Sequence, residues 1–444
     1  MNFFLKLDIN ITYKINMSEP DIIYNFFQQN RSHFPYLEKD SSGQKRIYLN
    51  SGAGSLMVDS CYQAIEMALR NLNSMPGMVS NEEIQTAELH QEARKAVADF
   101  IGANSPEEIS FHFSTTAALF NLAFALRKLF QPGKNCLVTD LDHLANISPW
   151  ETIAQQQGAE IRRIHLNDES QILIDKLIEK VDRQTVLVAL TGASNVIGII
   201  NPLTDLIQEI KQKSDALVVI DAVHLAPHSP IDVREIGGDF LTFSGYKLFG
   251  PMIGILYARK ESQPLSFPYR VETNRPQAPF CWEQGMLPNL AIAGLKGALD
   301  YLEDLGNKLI SPRDKATTLS RTRVFRLAME GVKNYEQKLS LYFMKNLERI
   351  DRQKIKFYGL VAGNKIVSKV PTFAFEIFDY SAAETKRLFW EKGKILIADG
   401  NHYSAFVTRH LKKEALNRLS LAHYDNLEAI DRFFDTLENL IYKK

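Results

Sequence analysis

The sequence predicts an α/β fold built on a large, doubly wound, mostly parallel sheet, with a smaller α+β domain after it. Three observations predict this. Short, unbroken apolar runs recur between about residues 85 and 260, as strands covered on both faces require. Amphipathic helical stretches alternate with them, which is the βαβα pattern of a parallel sheet. After about residue 310 the pattern changes to separate helices and strands at 324–346, 370–378 and 382–392, with a final helix over 426–442. The implied divisions are a segment 17–50 packing with the small domain, a large domain 51–305 and a small domain 306–444.

The bulk composition narrows the function. The chain has 444 residues, 45% hydrophobic and 23% charged, with formal net charge +0. Neutral charge argues against nucleic acid or an anionic membrane as the main partner. Cys61, Cys136 and Cys281 lie far apart and form no C-x-x-C, which suits a reducing, cytoplasmic setting and offers no metal cage. No apolar run reaches the roughly 18 residues of a membrane helix. Residues 1–16 hold Phe3, Phe4 and Leu5 but are broken by Lys6 and Asp8, so they read as a disordered arm rather than a signal peptide. Met17-Ser18-Glu19-Pro20 stands as an alternative start.

From the N-terminus, residues 21–30 have the helical spacing of Ile22, Ile23, Phe26 and Phe27 and lead into Arg31-Ser32-His33-Phe34-Pro35. Ile47-Tyr48-Leu49 is a short strand. It runs into the small-residue loop Asn50-Ser51-Gly52-Ala53-Gly54-Ser55, where backbone can approach a ligand closely. Residues 82–102 read as an amphipathic helix stopped by Gly102, and 107–113 as a strand. Ser114-Thr115-Thr116 then opens a helix over 117–130. Hydroxyls and free amides at a helix start suit a plain cap as well as a phosphate site. The strand 135–139 leads to Asp142-His143, the strand 186–190 to Thr191-Gly192-Ala193-Ser194-Asn195, and the next helix starts at 201–203.

The central stretch is Ala216-Leu217-Val218-Val219-Ile220-Asp221-Ala222-Val223-His224, followed by Phe243-Ser244-Gly245-Tyr246-Lys247-Leu248-Phe249-Gly250-Pro251. A buried strand ending on Asp221 puts an acid at the sheet rim, where open α/β sheets hold their ligands. Lys247 follows in a tight Gly/Pro turn. A lysine amine for a Schiff base, and an acid to keep a pyridine nitrogen protonated, are what pyridoxal phosphate requires.

These two stretches resemble the core motif of the class V aminotransferases, on the cysteine desulfurase-like branch. The resemblance runs from about residue 17 onward. It implies the type I fold of pyridoxal phosphate enzymes, a homodimer and a small amino-acid substrate. It assigns Lys247, His143 and Asp221 to catalysis, with His143 flat on the cofactor ring as an acid/base. It assigns the cofactor phosphate to Thr115, Thr116 and Ser244, the ring oxygen to Asn195 and His224, and a further cofactor contact to Tyr246. Arg418, in Arg418-Leu419-Ser420-Leu421-Ala422-His423-Tyr424, falls at the arginine that clamps the substrate carboxylate. Asn50 falls at the substrate mouth.

Ser114 stands where the family usually carries Gly or Asn, and two positions after Lys247 depart from it as well. Arg275 and Trp282-Glu283-Gln284-Gly285-Met286 resemble its [WF]-E-x-G-T segment, but Met286 replaces the threonine that reaches the partner's cofactor phosphate. A thioether cannot donate a hydrogen bond. Ala398-Asp399-Gly400-Asn401-His402-Tyr403 resembles R-x-G-x-x-C, with Tyr403 where desulfurases carry the persulfide cysteine, and no cysteine follows Cys281. The expected function is thus a desulfurase- or selenocysteine lyase-like enzyme without that cysteine. Transamination, racemisation, and a non-catalytic binding protein on the same fold are the alternatives; Tyr403 is then a substrate contact.

Overall fold

Alternate side chains of single strands enter different cores. In the strand Leu217–Asp221, Leu217 and Val219 join one hydrophobic cluster, while Val218 and Ile220 join another. In the strand Thr185–Thr191, Leu187 and Ala189 divide from Val188 and Leu190 in the same way. The period of two sends successive residues to opposite faces, and both faces are covered by helices, so the runs contain no polar positions. The structure is a computed structural model and describes residues 22–310, 319–359 and 363–442. The arm expected at 1–16 lies outside them.

The strands are β1 (Ile47–Tyr48), β2 (Ile109–His112), β3 (Asn135–Thr139), β4 (Glu160–Ile164), β5 (Thr185–Thr191), β6 (Leu217–Asp221), β7 (Phe240–Ser244), β8 (Gly254–Ala258), β9 (Ile355–Tyr358), β10 (Thr372–Ile377), β11 (Ile395–Leu396), β12 (Ala398–Gly400) and β13 (Leu416–Ser420). Seven of them form one sheet in the order β2-β8-β7-β6-β5-β3-β4. β3 to β7 pair in parallel, while β8 runs antiparallel to both β7 and β2. From β3 the chain moves outward to β4, then returns to β5 on the other side of β3. This reversal is the switch point of a doubly wound sheet.

The helices take the two faces. Thr115–Leu126 and Ser148–Gln157 pack on one; Asn81–Ile101, Leu203–Lys213 and Asn289–Leu309 pack on the other. Two expected boundaries shift for local reasons. Ser105 and Glu108 form a capping box that winds Pro106–Glu108 into a 3₁₀ turn, so β2 starts later than residue 107. Ser114 caps the next helix two residues earlier than read, at Thr115.

β12, β13, β10 and β9 form a second, antiparallel sheet, covered by the helices Ala382–Gly393 and Leu427–Ile441. Phe343, Phe373, Phe375, Phe389 and Phe433 stack between them. β1 adds in parallel to β11, tying residues 47–48 to this part of the chain. No helix among the described residues is long and apolar enough to cross a membrane.

Candidate active site

β2, β3, β5, β6 and β7 all point the same way, so the segments following them gather at one edge. Register sharpens this, because Asp221 stands beside Thr191 on one side and Thr242 on the other. A cavity of about 190 Å³ opens there. All nine residues expected to hold the cofactor line it: Thr115, Thr116, His143, Asn195, Asp221, His224, Ser244, Tyr246 and Lys247. Ser114, Ala145, Thr191, Ala193 and Val223 line it too, and the sequence reading named none of these as a site residue.

At one end the helix Thr115–Leu126 begins. Ser114 accepts from the Ala117 amide, and no partner among the described residues takes the Thr115 and Thr116 amides. Thr115 Oγ1 donates to Phe243 O and shares a 2.6 Å bond with Ser244 Oγ, which draws two expected phosphate contacts together. Strand β8 passes directly beneath: a Cβ on Gly254 would lie 2.2 Å from the Ser114 carbonyl carbon. Only glycine allows that approach.

Lys247 is 6% exposed. Burial, then the Arg418 cation, lowers its amine to about 7, against the pull of Asp221. Asp221 accepts from the Val223 amide at 2.9 Å, while burial raises its carboxyl. His143 Nδ1 accepts from the Ala145 amide at 3.0 Å, so a neutral ring carries its proton on Nε2. Burial, then Lys247 and Arg418, lowers His143 to about 4. The turn that presents it is anchored by buried Asp142, which accepts from Thr139 and from Asn146 Nδ2, and Asn146 in turn accepts from Trp150. His224 Nε2 bonds Thr372 at 2.9 Å, and its buried Nδ1 has no partner among the described residues.

Asn195 departs from expectation in its bonds. Its Nδ2 donates to His402 O and its Oδ1 accepts from Ser404, so the amide holds the segment Asn401–Ser404. Its backbone oxygen accepts from Arg418 Nη1 at 2.7 Å. Arg418 is 3% exposed, and its Nε is buried without a partner among the described residues. The residues facing it across β13 are Ala374 and Ala398, small enough to leave the guanidinium room. Gly52 packs against it, with a virtual Cβ 3.1 Å from Arg418 Cζ. Arg418, Asn50 and Tyr403, expected as substrate contacts, do not line the cavity; Arg418 reaches its wall through the bond to Asn195 O. Asn50 Oδ1 is buried with no partner among the described residues, and Tyr403 is 72% exposed, its ring 5.7 Å from that of His143. Met286 is exposed, while neighbouring Glu283 is buried in a pair with Arg94 and accepts from the Phe111 amide.

The donor set fits pyridoxal phosphate. There are free amides and hydroxyls for the phosphate, a buried low-pKa amine for the aldehyde, an acid for the ring nitrogen, and an orphaned imidazole nitrogen in the wall. The sequence profile described as "Aminotransferase class-V" matches residues 47–323. The chain belongs to the class V aminotransferase family. As a member it is a pyridoxal phosphate-dependent enzyme of fold type I, of the cysteine desulfurase-like kind. A cysteine desulfurase of Pectobacterium atrosepticum is 28% identical, the match covering 92% of this chain and 97% of that one. One from Yersinia pestis is 29% identical with the same coverage. Among solved structures, the cysteine desulfurase of Thermococcus onnurineus superposes with TM-score 0.79 at 23% identity, over 90% of this chain and 95% of that one. The Escherichia coli cysteine desulfurase CsdA superposes with TM-score 0.78 at 23% identity, over 94% and 98%. A C-DES mutant with glycine covalently linked to its PLP cofactor superposes with TM-score 0.73 at 16% identity, over 92% and 98%.

Three features of the class V site were missed from sequence: the bonds of Asn195 to residues 402–404, Thr372 behind His224, and the Arg94–Glu283 pair. Each joins residues more than a hundred positions apart, and no local pattern signals such a meeting.

Proposed function

We propose that this enzyme works at the α-carbon of a free amino acid, held by Arg418, without a persulfide relay. The observation that carries the reading is Arg418: a buried guanidinium beside the cavity, with one N–H unpartnered. Such a fork pairs with a carboxylate through parallel bonds. Pyridoxal phosphate, when bound, supplies the electron sink for negative charge at the α-carbon.

The protein residues divide the remaining work. Lys247 anchors the cofactor and moves the α-proton. Its amine, lowered to about 7, is near the optimum for a group that must both take and return a proton at neutral pH. His143, lowered to about 4, is the weaker base and would cover the cofactor ring. With the cofactor bound, Asp221 would hold its ring nitrogen, Thr115, Thr116 and Ser244 its phosphate, and His224 its ring oxygen. None of the three cysteines lines the cavity, and burial raises the thiols of Cys61, Cys136 and Cys281. A sulfur relay needs an accessible, low-pKa thiol. This supports direct elimination from a sulfur- or selenium-containing amino acid; transamination and racemisation at the same carbon are separated from it by product.

The expected result with added pyridoxal phosphate is a visible absorbance band that disappears in Lys247→Ala; a wild type without the band would sink the reading. Arg418→Ala keeps the band and loses response to amino acids. A panel scored for sulfide, keto acid and optical activity then selects the reaction.

A homodimer is part of this proposal. Met78, Val79, Met252, Val271 and Met286 are exposed apolar side chains. Asn289 bonds Leu72 O and Ser74 O, and Gln284 bonds Tyr269 O, which draws their segments together. Exposed apolar side chains on segments drawn together in this way support association of two copies.

A further inference from the structure

We infer that Ser404 and Asn195 are positioning residues. They latch the segment Asn401–Ser404 across the cavity mouth, so that Tyr403 forms one wall of the site for the substrate's side chain. This rests on the amino-acid reading above.

Three parts of the chain meet at Asn195. Its Nδ2 donates to His402 O at 2.8 Å, Ser404 Oγ donates to its Oδ1 at 2.7 Å, and its carbonyl receives Arg418 Nη1. The side chain thus spans the mouth segment while its backbone holds the group assigned to the carboxylate. The segment needs such holding. His402 and Tyr403 have φ of 54° and 56°, consecutive left-handed residues that are not glycine. That conformation persists only where surroundings impose it. A second tether is the Leu144 amide, next to His143, which donates to Tyr403 O at 2.8 Å. The Tyr403 amide donates to Asn401 Oδ1.

The tethers hold a large aromatic side chain in solvent. The Tyr403 ring lies 5.7 Å from the His143 ring, tilted by 33°. His143 lines the cavity, so Tyr403, packed on its outer side, would extend that wall to meet an amino acid's side chain. Ser404 is fully buried and does not line the cavity. Its contribution reaches a substrate only through the segment it holds.

The test uses the holoenzyme with L-cysteine and L-alanine as probes, read by the perturbed cofactor spectrum and by turnover. Loss of one buried hydrogen bond in Ser404→Ala should raise the half-saturating probe concentration about tenfold. Its kcat and cofactor affinity should stay within about twofold. Tyr403→Ala should behave alike, Tyr403→Phe should keep the wild-type value, and the Ser404→Ala/Tyr403→Ala double variant should be no worse than either single. Amide exchange at 401–404 should quicken in Ser404→Ala. Additive effects, a matching fall in cofactor affinity, or unchanged exchange would overturn the latch. If neither probe perturbs the wild-type spectrum, the amino-acid reading fails and amide exchange alone decides the latch. Should Ser404→Ala not fold, Asn195→Asp replaces it in the exchange arm, since its carboxylate opposes the His402 carbonyl.

Discussion

Lys247 is a cation by composition and close to a neutral amine by position. Burial and the nearby Arg418 charge outweigh the attraction of Asp221 and bring it to about 7. Only the unprotonated amine attacks a carbonyl, so lowering its pKa below the usual lysine range enlarges the reactive fraction at neutral pH. Attachment of added pyridoxal phosphate to apoprotein should therefore speed up as pH rises through about 7, then level off. A rapid-mixing pH series checks this, and a rate still climbing steeply at pH 9 contradicts it. His143 shows the same physics with another consequence: a ring lowered to about 4 stays neutral and is a poor partner for proton uptake. Both residue types were legible in the sequence. Their protonation was not, because it depends first on burial and then on charges that folding brings close, Arg418 of β13 among them.

At the scale of elements, the buried pair Arg94–Glu283 joins the helix Asn81–Ile101 to the segment before the helix Asn289–Leu309. Glu283 also takes the Phe111 amide of β2, just ahead of the Thr115–Thr116 turn. Removing one partner strands a buried charge. Arg94→Met should cost about 3–5 kcal/mol in denaturant unfolding. Arg94→Met combined with Glu283→Leu should recover much of that loss, because the remaining charge goes too. The strands themselves were readable from apolar runs alone. The pair was not, since an arginine inside an amphipathic helix reads as surface until a partner from far along the chain covers it.

For the whole molecule, the exposed apolar surface around Met78, Val271 and Met286 predicts a dimer in solution. Light scattering during size exclusion should give twice the chain mass, and Val271→Glu with Met78→Glu should shift it toward the monomer. A monomeric wild type would remove the dimer from the proposal. The same scale brings Arg418 to the site. Arg418 arrives from the antiparallel sheet, and its 2.7 Å bond to the carbonyl of Asn195, which lines the cavity, joins that sheet to the site on the parallel one.

The sequence by itself determined the sheet, its winding and the cofactor chemistry. Those follow from local facts: apolar runs of strand length, helices between them, and chemical groups placed directly after strands. Parallel strands then carry such groups to one edge without further information, which is why all nine cofactor candidates line the cavity. Tertiary structure alone decided what surrounds that chemistry. It turned the Asn195 side chain toward the mouth segment, left Arg418 and His224 with unpartnered nitrogens, and placed Tyr403 in solvent beside His143. Hydrogen bonds between distant residues and the cost of burying charge settle those features, and neither is written in the spacing of residues along the chain.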